Sequence, residues 1–295
     1  MRWRVGYVAL DSVMETWSAD QVLDSLVALG FEAVDWSFAH FDPLAQSPQE
    51  FCDLVNRTRD RGLEVPQLLI AEDLVIADKR TWDERVRRTI LAVDAAARAG
   101  VPSVGVTTGP HRWNQEAVRV GADLPESAAW ELAELGLRRF VDHARGTGVR
   151  IALEPVWGSL VDSGTRLQKM LDCVPGLAVT FDPSHLVLPG DDIPAWIDTW
   201  KERIVHVHLK DAFGVRGMDG VDFFFPLLGE GHVPWKEVLR GLAAANYVGF
   251  VSIEAESYRL LRQCYGNDPT GPAKLNLEFA RRLYDMAELG DQRSI

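Results

Sequence analysis

Residues 149–185, VRIALEPVWGSLVDSGTRLQKMLDCVPGLAVTFDPSH, hold two short apolar runs with a longer segment of helical periodicity between them. The runs, VRIALE at 149–154 and LAVTFD at 177–182, have the length and apolar continuity of strands buried on both faces. Strand, crossover helix, strand is the repeating unit of a parallel sheet, and here each strand ends in a carboxylate, Glu154 and Asp182.

The same unit recurs in both directions. Strand candidates lie at RVGYVA (4–9), AVDWSF (33–38), EVPQLLI (64–70) and SVGVTT (103–108), then at IVHVHLK (204–210) and FVSIEA (250–255), making eight. Between them Ser18 and Asp20 open a helix that Gly30 stops, and Ser47-Pro48 opens one ending near Gly62. Thr81 starts a helix ending at Gly100, and Leu124-Pro125 leads into one ending at Gly146 or Gly148. An open doubly wound sheet would carry a glycine-rich phosphate turn after its first strand, and GYVALDSVMET has none. No Pro/Gly/Ser-rich linker divides the chain. The expected fold is α/β, a single (β/α)8 TIM barrel over residues 1–295, with a long loop at about 212–234 and a C-terminal helix at about 271–287.

Composition narrows the function. With 47% hydrophobic residues the 295-residue chain can bury a large core, and a formal net charge of -12 opposes binding to nucleic acid. Cys52, Cys173 and Cys264 are widely spaced without a CxxC pattern, as in a reduced, cytoplasmic protein. The first apolar run stops at Asp11, too early for a secretion signal, and no run is long enough for a membrane span.

Barrel enzymes place their chemistry at the C-terminal strand ends. There the last four strands end in Glu154, Asp182, His208 and Glu254. A single strand-end acid can pair with a basic residue or cap the next helix. Three acids and an imidazole converging on one mouth are more economically explained by a shared divalent ion. The oxygen-rich set favours manganese first, with magnesium, cobalt, iron or zinc as alternatives, since structural zinc prefers Cys and His.

The strings ALEP (152–155), FDPSH (181–185), HVHLKD (206–211), GEGHVPW (229–235) and SIEAE (252–256) resemble the xylose-isomerase-like barrel superfamily of sugar isomerases, epimerases and inosose dehydratases. The resemblance implies that Glu154 and Glu254 both bind metal and exchange a proton with substrate, that Asp182 and His208 are ligands only, and that His185 contacts substrate or assists the metal. Ketose 3-epimerases place an arginine a few residues after the seventh-strand histidine, whereas HLKDAFG puts Gly214 there. Lys210-Asp211 instead resembles the keto-inositol dehydratases, which makes Lys210 a candidate acid; its simpler reading is an ion pair with Asp211 or Glu256.

Loops after the strands add candidate substrate contacts at His40, Glu72, His111, Trp113 and Trp157, with Glu256 beside Glu254. His143 falls on an outer helix and is set aside. Phe223, Phe224 and Phe225 cannot all face one side of a strand, so the 212–234 loop reads as a substrate lid or a contact with a partner subunit or second copy. The expected activity is isomerisation or epimerisation of a sugar by proton abstraction beside a carbonyl. The alternative is β-elimination from a keto-inositol or 3-keto-glycoside. A phosphodiesterase would need more ligands and a basic groove, and an inert binding subunit would hold no metal.

Overall fold

The structure is a computed structural model that describes residues 3–10, 16–114 and 116–291, the side chains of 285–291 aside. Its eight parallel barrel strands are β1 (Val5–Val8), β2 (Ala33–Asp35), β3 (Leu68–Ile70), β4 (Ser103–Val106), β5 (Arg150–Leu153), β6 (Ala178–Phe181), β7 (Ile204–Leu209) and β10 (Val251–Ile253). Hydrogen bonding follows β2-β1-β10-β7-β6-β5-β4-β3. Parallel bridges from Ala33 to Glu64 and from Trp36 to Leu68 then join β2 to the β3 side. These make the sheet a nearly closed TIM barrel with helices between its strands.

The helices begin where local chemistry supplies their missing partners. Ser18 and Gln21 form a reciprocal capping box on α1 (Ala19–Leu29), and Ser47 and Glu50 form another on α2 (Pro48–Asp60). The helix expected from Thr81 starts earlier, as α3 (Lys79–Ala99), because Asp78 accepts the Thr81 N–H at 2.8 Å. Helix α4 (Glu126–Ala144) follows Pro125, α5 (Gly164–Cys173) separates β5 from β6, and two short helices, α6 (Pro183–Val187) and α7 (Ile193–Trp200), lead to β7.

The segment after β7 carries an antiparallel hairpin, β8 (Phe213–Gly214) with β9 (Phe223–Phe224). Alternation along it buries Phe223 and Phe225 and leaves Phe224 46% exposed. Helices α8 (Trp235–Ala244), α9 (Tyr258–Cys264) and α10 (Thr270–Asp291) complete the order.

The barrel core is mostly Val, Ile, Leu and Phe, yet its lumen also holds Gln67, Thr180, Asp35 and His206, all fully buried. Gln67 donates to Thr180 at 2.9 Å, and Asp35 meets His206 at 2.8 Å. Gly105 makes room for this layer, since a Cβ there would lie 2.5 Å from Gln67 Oε1. Among the described residues no helix is long and apolar enough to cross a membrane.

Candidate metal centre

Glu154, Asp182 and Glu254 each follow the last residue of their strand directly, and His208 is the penultimate residue of β7. Strand alternation therefore turns all four to the lumen side at one end of the barrel. Their ligand atoms all lie within 4.8 Å of one another, and every side chain is buried. Opposite ligands on a shell of ~2.1 Å stand ~4.2 Å apart, so a small contraction would close the group on a divalent ion. The residues fit such an ion in a second respect. Asp182 Oδ1 caps α6 by accepting the Ser184 N–H at 2.8 Å, while its Oδ2 faces the group, buried and without a hydrogen-bond partner.

Lys210, two residues beyond His208 and so on the same side of the strand, enters this group. Its Nζ donates to Glu254 Oε2 at 2.7 Å and to Glu256 Oε2 at 2.9 Å, and stands 3.2 Å from Asp182 Oδ2 without the alignment of a hydrogen bond. Asp211, the other partner foreseen for Lys210, is occupied elsewhere. Its carboxylate accepts from the backbone N–H groups of Ala212, Gly229, Gly231 and Val233 and from Trp235 Nε1, at 2.9–3.1 Å. One buried carboxylate thus ties both ends of the hairpin segment together. Gly231 is required there, because a Cβ would lie 2.1 Å from Asp211 Oδ1.

Burial disfavours every charge in the group, and the neighbours decide which charges persist. For Lys210, burial favours losing the proton, but Asp182, Glu254, Glu256 and Glu154 outweigh it and hold the ammonium well above its usual pKa. His208 is likewise pushed down by burial and pulled well up by Glu154 and Glu254, whose oxygens lie 3.2 and 3.4 Å from Nδ1. Glu254 is raised by burial, yet Lys210 and His208 hold it far below the ordinary carboxylate range. Asp182 is pushed up to about 7, by burial first and then by Glu254 and Glu154 against the opposing Lys210.

His185 differs. Burial, Lys210 and His208 keep it neutral, well below an ordinary histidine. Its Nδ1 accepts the Trp157 N–H at 3.4 Å, which assigns the ring proton to Nε2, 3.6 Å from Asp182 and 3.8 Å from Glu154.

A cavity of about 450 Å³ opens over these residues, with Glu154, Glu254, Glu256, Lys210 and His185 in its lining. Trp113 and Trp157 also line it, but three of the residues expected at the mouth do not. His40 bonds the Trp17 carbonyl at 3.0 Å and packs on Trp36, because its loop turns back over β2. Glu72 is held by Arg88 at 2.7 Å and Arg85 at 3.5 Å, so it serves an ion-pair cluster on α3. His111 is buried behind Trp113, bonded to Asp73 and Thr107 at 2.8 Å each.

Other residues escaped the sequence reading. Tyr258 donates to Glu256 at 2.6 Å, and Phe225 lines the cavity with Lys210 4.9 Å from its ring centre. His206 joins Asp35 and His208 in a second buried group with metal-ligand spacing. The period-two pattern of IVHVHLK already placed His206 on the face of His208.

Comparisons with known proteins bear on the family and the fold. The family model described as Xylose isomerase-like TIM barrel matches residues 23–283. An inosose dehydratase of Lacticaseibacillus casei is 26% identical over 43% of this chain and 47% of its own length, and one of Bacillus anthracis is 31% identical over the same shares. The matched stretch is thus about half the length of these relatives. The solved structure of an L-ribulose 3-epimerase superposes with a TM-score of 0.74 at 18% identity, covering 98% of this chain and 97% of that one, a likeness of fold. By its family match and its nearly closed barrel of eight parallel strands, the chain belongs to the xylose isomerase-like TIM barrels.

Proposed function

We propose that the protein is a divalent-metal-dependent lyase that removes a proton beside the carbonyl of a keto-sugar or keto-inositol and expels an oxygen substituent from the next carbon. Glu154, Asp182, His208 and Glu254 would hold the metal, with manganese the first choice. A bound divalent ion would polarise substrate oxygens and acidify the adjacent C–H.

The observation that carries the reading is Lys210, an ammonium kept protonated within hydrogen-bond reach of Glu254. A lysine that is protonated at neutral pH has a proton to donate and no lone pair to accept one, and its place 2.7 Å from Glu254 sets that proton beside the base. Glu254, held ionised, takes the proton from carbon, and Lys210 donates one to the leaving oxygen on the neighbouring carbon. Neutral His185, with its proton on Nε2, donates a hydrogen bond to a substrate oxygen. Glu256, itself accepting the Tyr258 hydroxyl, accepts a second hydrogen bond from Lys210. The similarity to inosose dehydratases supports elimination.

Epimerisation is the second reading. Glu154 and Glu254 both reach His208 Nδ1, so two carboxylates stand close enough for one to remove a proton and the other to return it. Incubating the manganese-loaded protein in D₂O with a keto-inositol, a ketohexose and a methyl 3-keto-glucoside separates the two. Elimination yields an α,β-unsaturated ketone or its tautomer, whereas epimerisation yields the inverted sugar carrying deuterium. Neither product nor deuterium from any of the three would sink both.

A further inference from the structure

Besides the residues of the metal-ligand group, the cavity is lined by Asp219 and Arg262 and by aromatic rings, Trp113, Trp157 and Phe225 among them. Trp113 is 57% exposed, an unusual position for a large apolar ring, and it is not loose. It stacks on His111 with centroids 4.3 Å apart and planes 10° from parallel. His111 itself is locked, with Nδ1 2.8 Å from Asp73 Oδ1, Nε2 2.8 Å from Thr107 Oγ1, and its backbone N–H on the same Asp73 oxygen. Trp157 stands 6.1 Å from Trp113, and Phe223 backs Trp157 at 4.9 Å. Trp113 thus presents a preorganised aromatic face to the cavity, which suits a stacked ring better than a sugar hydroxyl.

Size points the same way. A monosaccharide displaces roughly six waters of ~30 Å³ each, about 180 Å³. The cavity of about 450 Å³ leaves more than half its space beyond what one sugar fills.

We infer that Trp113 is the platform of a second subsite, which takes a planar aromatic ring carried by the keto-sugar, so that the substrate class is an aryl glycoside rather than a free sugar. This deepens the proposed function and rests on its placement of the sugar at the metal floor. Aromatic rings stack on indole in offset geometry, and the held His111 spares Trp113 the entropy of ordering on binding.

The test uses the manganese-loaded full chain and titration calorimetry with 4-nitrophenyl β-D-glucoside and methyl β-D-glucoside. The aryl compound is expected to bind at least tenfold more tightly. Trp113→Ala should bring it down to the level of the methyl compound, while Trp113→Phe keeps most of the preference and guards against a folding artefact. Equal affinity of the two glucosides, binding of neither, or an aryl preference that survives Trp113→Ala overturns the subsite. Deuterium exchange into methyl 3-keto-glucoside is measured alongside. An aryl preference without exchange removes the proposed chemistry and keeps the subsite, and exchange without an aryl preference does the reverse.

Discussion

The Lys210 ammonium lies 2.7 Å from Glu254, a carboxylate that also belongs to the metal-ligand group. One acid-base pair and one metal site therefore share an oxygen, and an ion would have to enter against a positive charge already in place. Lys210→Met should bind the metal more tightly than the wild type, because like-charge repulsion is gone. It should also lose turnover by about 100-fold or more with the loss of the proton donor. Parallel metal titration and turnover measurements check both; weaker metal binding with full turnover would make Lys210 structural.

Metal uptake should strengthen with pH. His208 is pushed down by burial but pulled up further by Glu154 and Glu254, so it carries a proton that a metal ligand must lose. Asp182, pushed up to about 7, must lose its proton as well, so each pH unit adds up to about a hundredfold to the apparent affinity below 7 and about tenfold from there to the raised pKa of His208. A titration at pH 5.5, 6.5 and 7.5 reads this. An affinity independent of pH would show that His208 is not displaced from its proton.

The sequence and the structure part company at Glu72. Strand-end position alone marked it as a substrate contact, but Arg88 and Arg85, both on helix α3, claim its carboxylate. Glu72→Gln should leave KM and kcat unchanged and destabilise the fold by about 1–3 kcal/mol, as removal of one partner of a mostly buried pair does. A denaturant midpoint with unchanged slope measures the loss. A raised KM with unaltered stability would return Glu72 to the site.

Asp211 organises the segment that carries the hairpin. Its five N–H partners lie at both ends of that segment, so Asp211→Asn should cost about 2–4 kcal/mol and speed proteolysis between 212 and 228. Wild-type stability and cleavage would contradict the assignment.

What could be read in advance follows from period and covalent order. Eight apolar runs spaced by helical stretches give a barrel, and the last residues of four of them meet because parallel strands end on one side. The mouth is different. His40, Glu72 and His111 sit in loops whose paths depend on capping and ion pairing with residues from other units, such as Trp17, Arg88 and Asp73. Phe225 and Tyr258 reach the cavity only because a hairpin and a short helix fold back over it, which no local periodicity encodes. Lys210 and His206 lay within reach of the sequence, since both share the alternation of His208.

The central claim is that Glu154, Asp182, His208 and Glu254 hold one catalytic divalent ion. Manganese titration followed by electron paramagnetic resonance tests it most directly. The account predicts one tightly bound ion per wild-type chain, and none in a Glu154→Gln/Asp182→Asn double variant that retains its circular dichroism. A folded wild-type chain that binds no ion, or a double variant that binds as the wild type does, would contradict it.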